Sequence, residues 1–192
     1  MKTVSARTRI PFGSTHEVIL VERGLFATYA GFQGEFRLLT GLFGPGSILG
    51  GIKALTHAGR RMPLSLRALS DTTVRVIDAV RFREALEADK TLEKDVLSYF
   101  LVMHERQIDG LLVMESLPLA DRLAMLIETL YFATGEEPSE TPVELPLSLN
   151  ASDLADMLRA ERASVSRVLS RWGRAGIFRR EGRALYFASA RL

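Results

Sequence analysis

The sequence predicts an α+β chain: an N-terminal antiparallel β-roll, one long helix, and a C-terminal winged helix-turn-helix. Three observations carry that prediction. Short β-rich runs separated by glycine-bearing breaks fill the chain to about residue 78. Beyond them the apolar spacing becomes that of a helix, unbroken over residues 91–117. The charge is also uneven. Residues 145–192 hold nine arginines against four acids, a balance of +5, whereas residues 1–144 hold sixteen bases against nineteen acids, −3.

Bulk composition narrows the class. With 47% hydrophobic and 25% charged residues, the chain is globular rather than disordered. No apolar run reaches the ~18 residues of a membrane span, and residues 1–7 lack the apolar core of a signal peptide. The chain has no cysteine. That excludes disulfides, thiolate metal sites, cysteine-ligated iron–sulfur clusters and thiol redox sensing. A cytoplasmic protein without a membrane partner is expected.

Strands are expected at residues 18–21, 25–29, 36–39, 64–68 and 73–77, with breaks at Gly24, Gly31, Gly34, Gly44 and Gly46. Several short strands at such intervals suggest a small barrel or roll. Residues 80–88 read as a short helix and 91–117 as a long one. On the long helix Leu92, Val96, Tyr99 and Met103 form one stripe, and Leu97, Leu101, His104, Ile108, Leu111 and Leu112 lie on an adjoining face. Two apolar faces are more than one small roll covers. The spacing therefore predicts a partner helix, most simply the same helix of a second subunit, in place of a helix buried centrally in one chain. The dimer contact is expected at Leu92, Val96, Tyr99, Met103, Ile108 and Leu111. Pro118 marks the next start, and residues 119–132 are amphipathic through Leu123, Leu126, Ile127 and Leu130. Residues 135–142 form a polar, proline-bearing loop. The expected divisions are 1–89 for the roll with its short helix, 90–117 for the long helix and hinge, and 118–192 for the winged helix-turn-helix.

The most informative stretch runs from 147 to 169. Asn150 is placed to cap a helix, with Asp153 three residues on to return the bond. Leu154, Met157 and Leu158 bury one face of that helix, and Ala155 permits a close crossing. After a short break, Val165, Val168, Leu169 and Trp172 form the apolar stripe of a second helix, Trp172 as core. Two short helices at this spacing make a helix-turn-helix. On the second helix Arg162, Ser166 and Arg167 stand in the N-terminal half, where a recognition helix meets base edges. A guanidinium presents two parallel donors to guanine O6 and N7. Asn150 and Ser164 are short polar groups suited to phosphate. Residues 175–187 then read as strand, tight turn at Glu181-Gly182, strand: a wing, with Arg179, Arg180 and Arg183 beside a phosphate backbone. Double-stranded DNA is the partner this combination implies.

With these residues in place, the chain resembles the catabolite activator/FNR superfamily of bacterial transcription regulators. Arg162-Ala163-Ser164-Val165-Ser166-Arg167-Val168-Leu169 follows that family's R-x-[ST]-V-x-R-x-L recognition helix, and Leu117 to Ala124 resembles its hinge and following helix, with the pair Arg122-Leu123. The resemblance implies a homodimer on a near-palindromic site, an RNA polymerase contact if the regulator is an activator, and a roll of the cyclic-nucleotide-binding type. It implies that Arg162 and Arg167 read the major groove, with Ala163 and Ser166 also at the bases. Phosphate contacts are expected from Asn150, Glu161, Ser164, Arg179, Arg180 and Arg183. Well-known members often carry glutamate at position 163. Ala163 cannot accept from a cytosine amino group, though its methyl can touch thymine, so an altered operator is expected. The family's turn glycine is Arg159 here, so that turn must avoid a positive φ or carry strain.

The sensor half departs further. Members that bind cyclic nucleotides use a glycine, a glutamate and an Arg-Ser pair. Here Gly51 holds the glutamate position, Met62-Pro63 replaces the pair, and Arg60 and Arg61 are two residues out of register. A buried phosphate needs a charged partner and donors, so no cofactor is expected and cAMP is disfavoured. Haem would need an axial ligand, and His16, His57 and His104 are the three candidates. The chain also starts late relative to the family, which suggests a truncated roll. Catalysis is not expected: no clustered histidines and carboxylates, nucleophile elbow or phosphate loop is present. The alternative to a ligand-independent regulator is an effector-gated one, whose DNA binding requires haem or an unknown small ligand in the roll.

Overall fold

The structure is a computed structural model that describes residues 1–12, 16–31, 38–56, 63–147 and 149–192. The first strands, β1 (Lys2–Val4) and β2 (Arg9–Phe12), are followed by β3 (Glu17–Arg23), β4 (Phe26–Ala30), β5 (Leu38–Phe43) and β6 (Ile48–Leu49). Helix α1 (Gly51–Thr56) precedes β7 (Leu64–Ala68) and β8 (Thr72–Asp78). These strands form two four-stranded antiparallel sheets, in the orders β1-β8-β3-β6 and β2-β7-β4-β5. From sequence, strand is expected from about residue 8, with the first distinct strand at 18–21, and the roll is expected to be truncated. Instead β1 and β2 pair with β8 and β7 and complete the two sheets. The expected strand at 36–39 enters the described residues only at Leu38, where β5 begins.

Helices follow: α2 (Ala79–Ala88), α3 (Lys90–Ser116), α4 (Leu119–Thr134), α5 (Ala151–Leu158) and α6 (Arg162–Arg174). Strand β9 (Val143–Glu144) precedes α5, and β10 (Phe178–Glu181) and β11 (Ala184–Phe187) close the chain. Local chemistry sets these starts. Asp78 and Asp89 cap α2 and α3 by accepting backbone N–H groups of the first turn. The extended Leu117 ends α3, and Pro118, at φ −57, leads into α4.

α3, about 40 Å long, uses one face on its own chain. Val96 and Phe100 are buried there with Phe82 and Leu86 of α2. Tyr99 Oη accepts the Ile48 N–H at 3.0 Å, and Met103 packs on the roll interior. Of the six residues expected at a partner, Val96, Tyr99 and Met103 are therefore engaged within the protomer. Leu92, Ile108 and Leu111 are exposed, as are Leu97, Leu101 and Leu112.

The largest apolar cluster joins the two halves. Leu25, Ala27, Tyr29 and Leu69 of the roll lie in it with Leu123, Ile127 and Leu130 of α4, Leu154 and Met157 of α5, and Trp172 of α6. Within this contact Arg67 on β7 meets Asp153 on α5, Nη2 to Oδ1 at 2.5 Å, with both side chains largely buried. Asp153 Oδ2 accepts the Asn150 N–H at 2.9 Å, while Asn150 Oδ1 accepts the Ser152 and Asp153 N–H groups at 2.8 and 3.1 Å. The capping box read from sequence is thus also half of a roll-to-helix ion pair. Beside it burial pushes the Tyr29 hydroxyl up to about 12, against the lowering pull of the Arg67 charge. Removing one partner of a buried pair leaves an uncompensated charge, a loss of about 3–5 kcal/mol. Arg67→Met should lower unfolding stability by that amount in urea titration, and adding Asp153→Asn, which removes the stranded charge, should recover part of it.

Candidate nucleic-acid interface

α6 carries its apolar stripe inward. Val165, Leu169 and Trp172 are buried, and the Trp172 ring meets Phe187 edge-on at 6.5 Å between centroids. The opposite face leaves Arg162, Ala163, Arg167, Ser170, Arg171 and Arg174 exposed and Ser166 half-buried. Arg167 Nη2 donates to Ser164 Oγ at 2.9 Å, which holds that guanidinium along the helix and leaves the Ser164 O–H as a donor. Asn150 is committed likewise: its side-chain oxygen caps α5, so its amide nitrogen is the group left for a phosphate. Glu161 is the N-cap of α6 but makes no side-chain cap bond. Its exposed carboxylate would repel phosphate, and the helix N-terminus behind it is the part of this position that attracts one.

Arg159 ends α5 at φ 50, ψ 44, so the turn keeps its left-handed residue and an arginine carries it. The conformation costs a non-glycine residue about 1–2 kcal/mol. The backbone fixes it: the Arg159 N–H donates to Asp156 and the Ala160 N–H to Ala155. An ion pair to Glu115 at 3.7 Å, exposed on both sides, gives little back.

The wing is a three-stranded sheet, β10-β11-β9, rather than a bare hairpin. Glu181 pairs with Ala184, which puts the turn at Gly182-Arg183, one residue later than the sequence suggested, with Gly182 at φ 57. Arg179 pairs with Glu181 at 2.9 Å and lies over the Tyr186 ring, 4.6 Å from its centroid. Arg180 Nε donates to the Gly182 carbonyl at 2.8 Å, and Arg183 is exposed at the tip. The sheet is tied to α4 by Tyr131, whose hydroxyl donates to the Val143 carbonyl at 2.6 Å and accepts the Phe187 N–H at 3.3 Å. Burial pushes that hydroxyl up to about 12. Between α6 and the wing lies a groove of about 360 Å³ bordered by Ser166, Ser170, Arg179 and Arg180.

Residues 119–188 match the family described as the Crp-like helix-turn-helix domain. Solved structures extend the likeness to the whole length. A CRP-family transcriptional regulator from Thermus thermophilus matches with a TM-score of 0.79 at 18% identity, over 100% of this chain and 93% of that one. A second Thermus thermophilus regulator, of the CRP/FNR family, matches with a TM-score of 0.76 at 18% identity, over 99% and 94%. FixK2 from Bradyrhizobium japonicum matches with a TM-score of 0.75 at 18% identity, over 99% and 92%. No curated protein sequence matches the chain. The chain therefore has the fold of the CRP/FNR transcription regulators, and its C-terminal part is similar to the Crp-like helix-turn-helix domain.

The roll does not fit the cyclic-nucleotide cassette. Gly51 opens α1, and a Cβ placed there would run into the Phe100 ring. A glutamate at that position would have to displace that ring. His16 and His104 are both exposed, and His57 and the Arg60–Met62 run lie outside the described residues. Among the described residues no three of His, Cys, Asp and Glu gather to hold a metal, and no helix is long and apolar enough to cross a membrane.

The strained turn generates a direct test. Arg159→Gly removes the left-handed penalty at a position whose side chain is exposed, and should raise stability by about 1 kcal/mol. A melting curve reads the change, and a lower melting temperature would mean that the arginine side chain contributes more than its backbone costs.

Proposed function

We propose that the protein is a sequence-specific transcription regulator that binds a near-palindromic duplex as a homodimer. One observation carries this reading. The arginine-bearing face of α6 is open to solvent beside a basic wing, in a segment, residues 145–192, whose charge balance is +5. Arg162 and Arg167 are the base readers, with Ala163 and Ser166 lining the same groove. Arg179, Arg180 and Arg183, the Ser164 hydroxyl, the Asn150 amide and the backbone around Glu161 meet phosphates.

The dimer seam is the exposed stripe of α3. Leu97, Leu101, His104, Ile108 and Leu111 recur at alternating spacings of four and three, the seam of a two-stranded coiled coil. Leu101 is 68% exposed and Ile108 44%, with no cover from their own chain. Two parallel α3 helices would present two recognition helices to successive major grooves. Residues 90–117 are then the joint between a sensor-like roll, 1–89, and the DNA-binding head, 118–192. Binding needs no cAMP, an RNA polymerase contact is the expected output, and the cytoplasm is the expected location.

Selection of bound sequences from random duplex DNA, with no additive, tests the reading: enrichment of a two-fold symmetric site is expected. Arg162→Ala should cost about 1–3 kcal/mol and relax preference at one base pair per half-site. An unchanged ratio of specific to random binding would remove Arg162 from the base readers. Separately, Leu101→Glu should convert the dimer to a monomer in sedimentation and weaken operator binding at least tenfold. A dimer that survived this change would place the seam elsewhere.

A further inference from the structure

A cleft of about 860 Å³ opens where β5, the second half of α3, α4 and α5 meet. Small-molecule sites run from about 300 to 1,000 Å³. Four of the six methionines, Met103, Met114, Met125 and Met157, lie in its mostly apolar wall. Unbranched thioether side chains mould to irregular ligands. The wall also holds Gly110, in the middle of α3, where glycine is a poorer helix residue than alanine. A Cβ there would meet nothing within 4 Å. No packing inside the chain requires that gap.

The polar side of the cleft has one orphan. Arg122 Nη1 donates to the carbonyls of Met114 at 3.1 Å and Leu158 at 3.3 Å, while its buried Nε has no acceptor. A buried donor left unpaired is an uncommon expense in a folded protein. At about 100° per residue, Gly110 lies well round α3 from Leu101 and Ile108, and only Leu111, at the far end of that seam, also borders the cleft.

We propose that this cleft binds an apolar small molecule carrying one hydrogen-bond-accepting oxygen, taken up by Arg122. The site is separate from the cassette position at Gly51, which Phe100 fills. Because Met114 lies in the last turn of α3, Arg122 in the first turn of α4 and Met157 in α5, an occupant touches both helices, α4 and α5, that pack against α6. That consequence rests on the DNA-binding reading above; the binding itself does not.

The test uses the full chain, with 8-anilinonaphthalene-1-sulfonate as a fluorescent probe and decanoate or decylamine as competitors. One saturable site per chain is expected, with decanoate displacing the dye and decylammonium, which lacks an acceptor, leaving it bound. Gly110→Phe should lower dye affinity at least tenfold with melting temperature and oligomeric state unchanged. Should that variant melt early, Met125→Trp, from an exposed position on the opposite wall, should have the same effect. Equal dye binding by both variants and the natural chain, or no saturable site, overturns the proposal. Equal competition by decylammonium overturns the acceptor requirement. Operator binding without additive is read on the same samples: its loss with dye binding intact overturns the regulator reading and not the cleft, and the reverse result overturns only the cleft.

Discussion

Asp153 divides its two carboxylate oxygens between the two halves of the chain. One closes the capping box that starts α5; the other meets Arg67 on the roll. A buried ion pair is a poor source of net stability, because desolvating both charges offsets their attraction. What it supplies is direction. The surrounding apolar cluster, from Leu25 and Tyr29 to Leu154 and Trp172, would tolerate a shift of one layer over the other. A charged pair at 2.5 Å does not. The angle at which the helix-turn-helix sits on the roll is thus fixed at a residue that also determines whether its first helix forms.

α3 shows how one helix serves two surfaces. Its 27 residues carry apolar groups almost all round, yet only Val96 and Phe100 are buried within the protomer. The face toward the roll carries the aromatic residues and Met103, matched to a concave protein surface. The other face carries leucines and an isoleucine at coiled-coil spacing. These side chains are suited to a second helix rather than to water.

Much of this architecture was legible because it depends on local pattern. The alternation in β3 and β4, the helical stripes of α4 and α6, and the Asn150-Asp153 cap all declare themselves within a few residues. β1, β2 and β6 do not. They are two to four residues long, and their pairing with β8, β7 and β3 over long separations supplies what their sequences lack. Periodicity found both faces of α3 but could not say which face meets the roll, so Val96, Tyr99 and Met103 were placed at a partner. The Arg67–Asp153 pair had no signal at all: an arginine in a strand and an acid at a helix start are each ordinary until the fold brings them together across 86 positions. Arg159 was legible as a dilemma, and the backbone resolved it in favour of the left-handed turn.

The Phe100 ring over Gly51 has a consequence for how this chain relates to nucleotide-sensing relatives of the same fold. Substituting the missing acid into α1 would not create a ribose site, because the ring already owns that volume and is shared with the core formed by α2 and α3. Trimming the ring first would open a hole in that core before any ligand could fill it. A cyclic-nucleotide site would need both changes and the Arg-Ser pair besides, so the roll is separated from cyclic-nucleotide sensing by several coupled changes and not by a single missing residue.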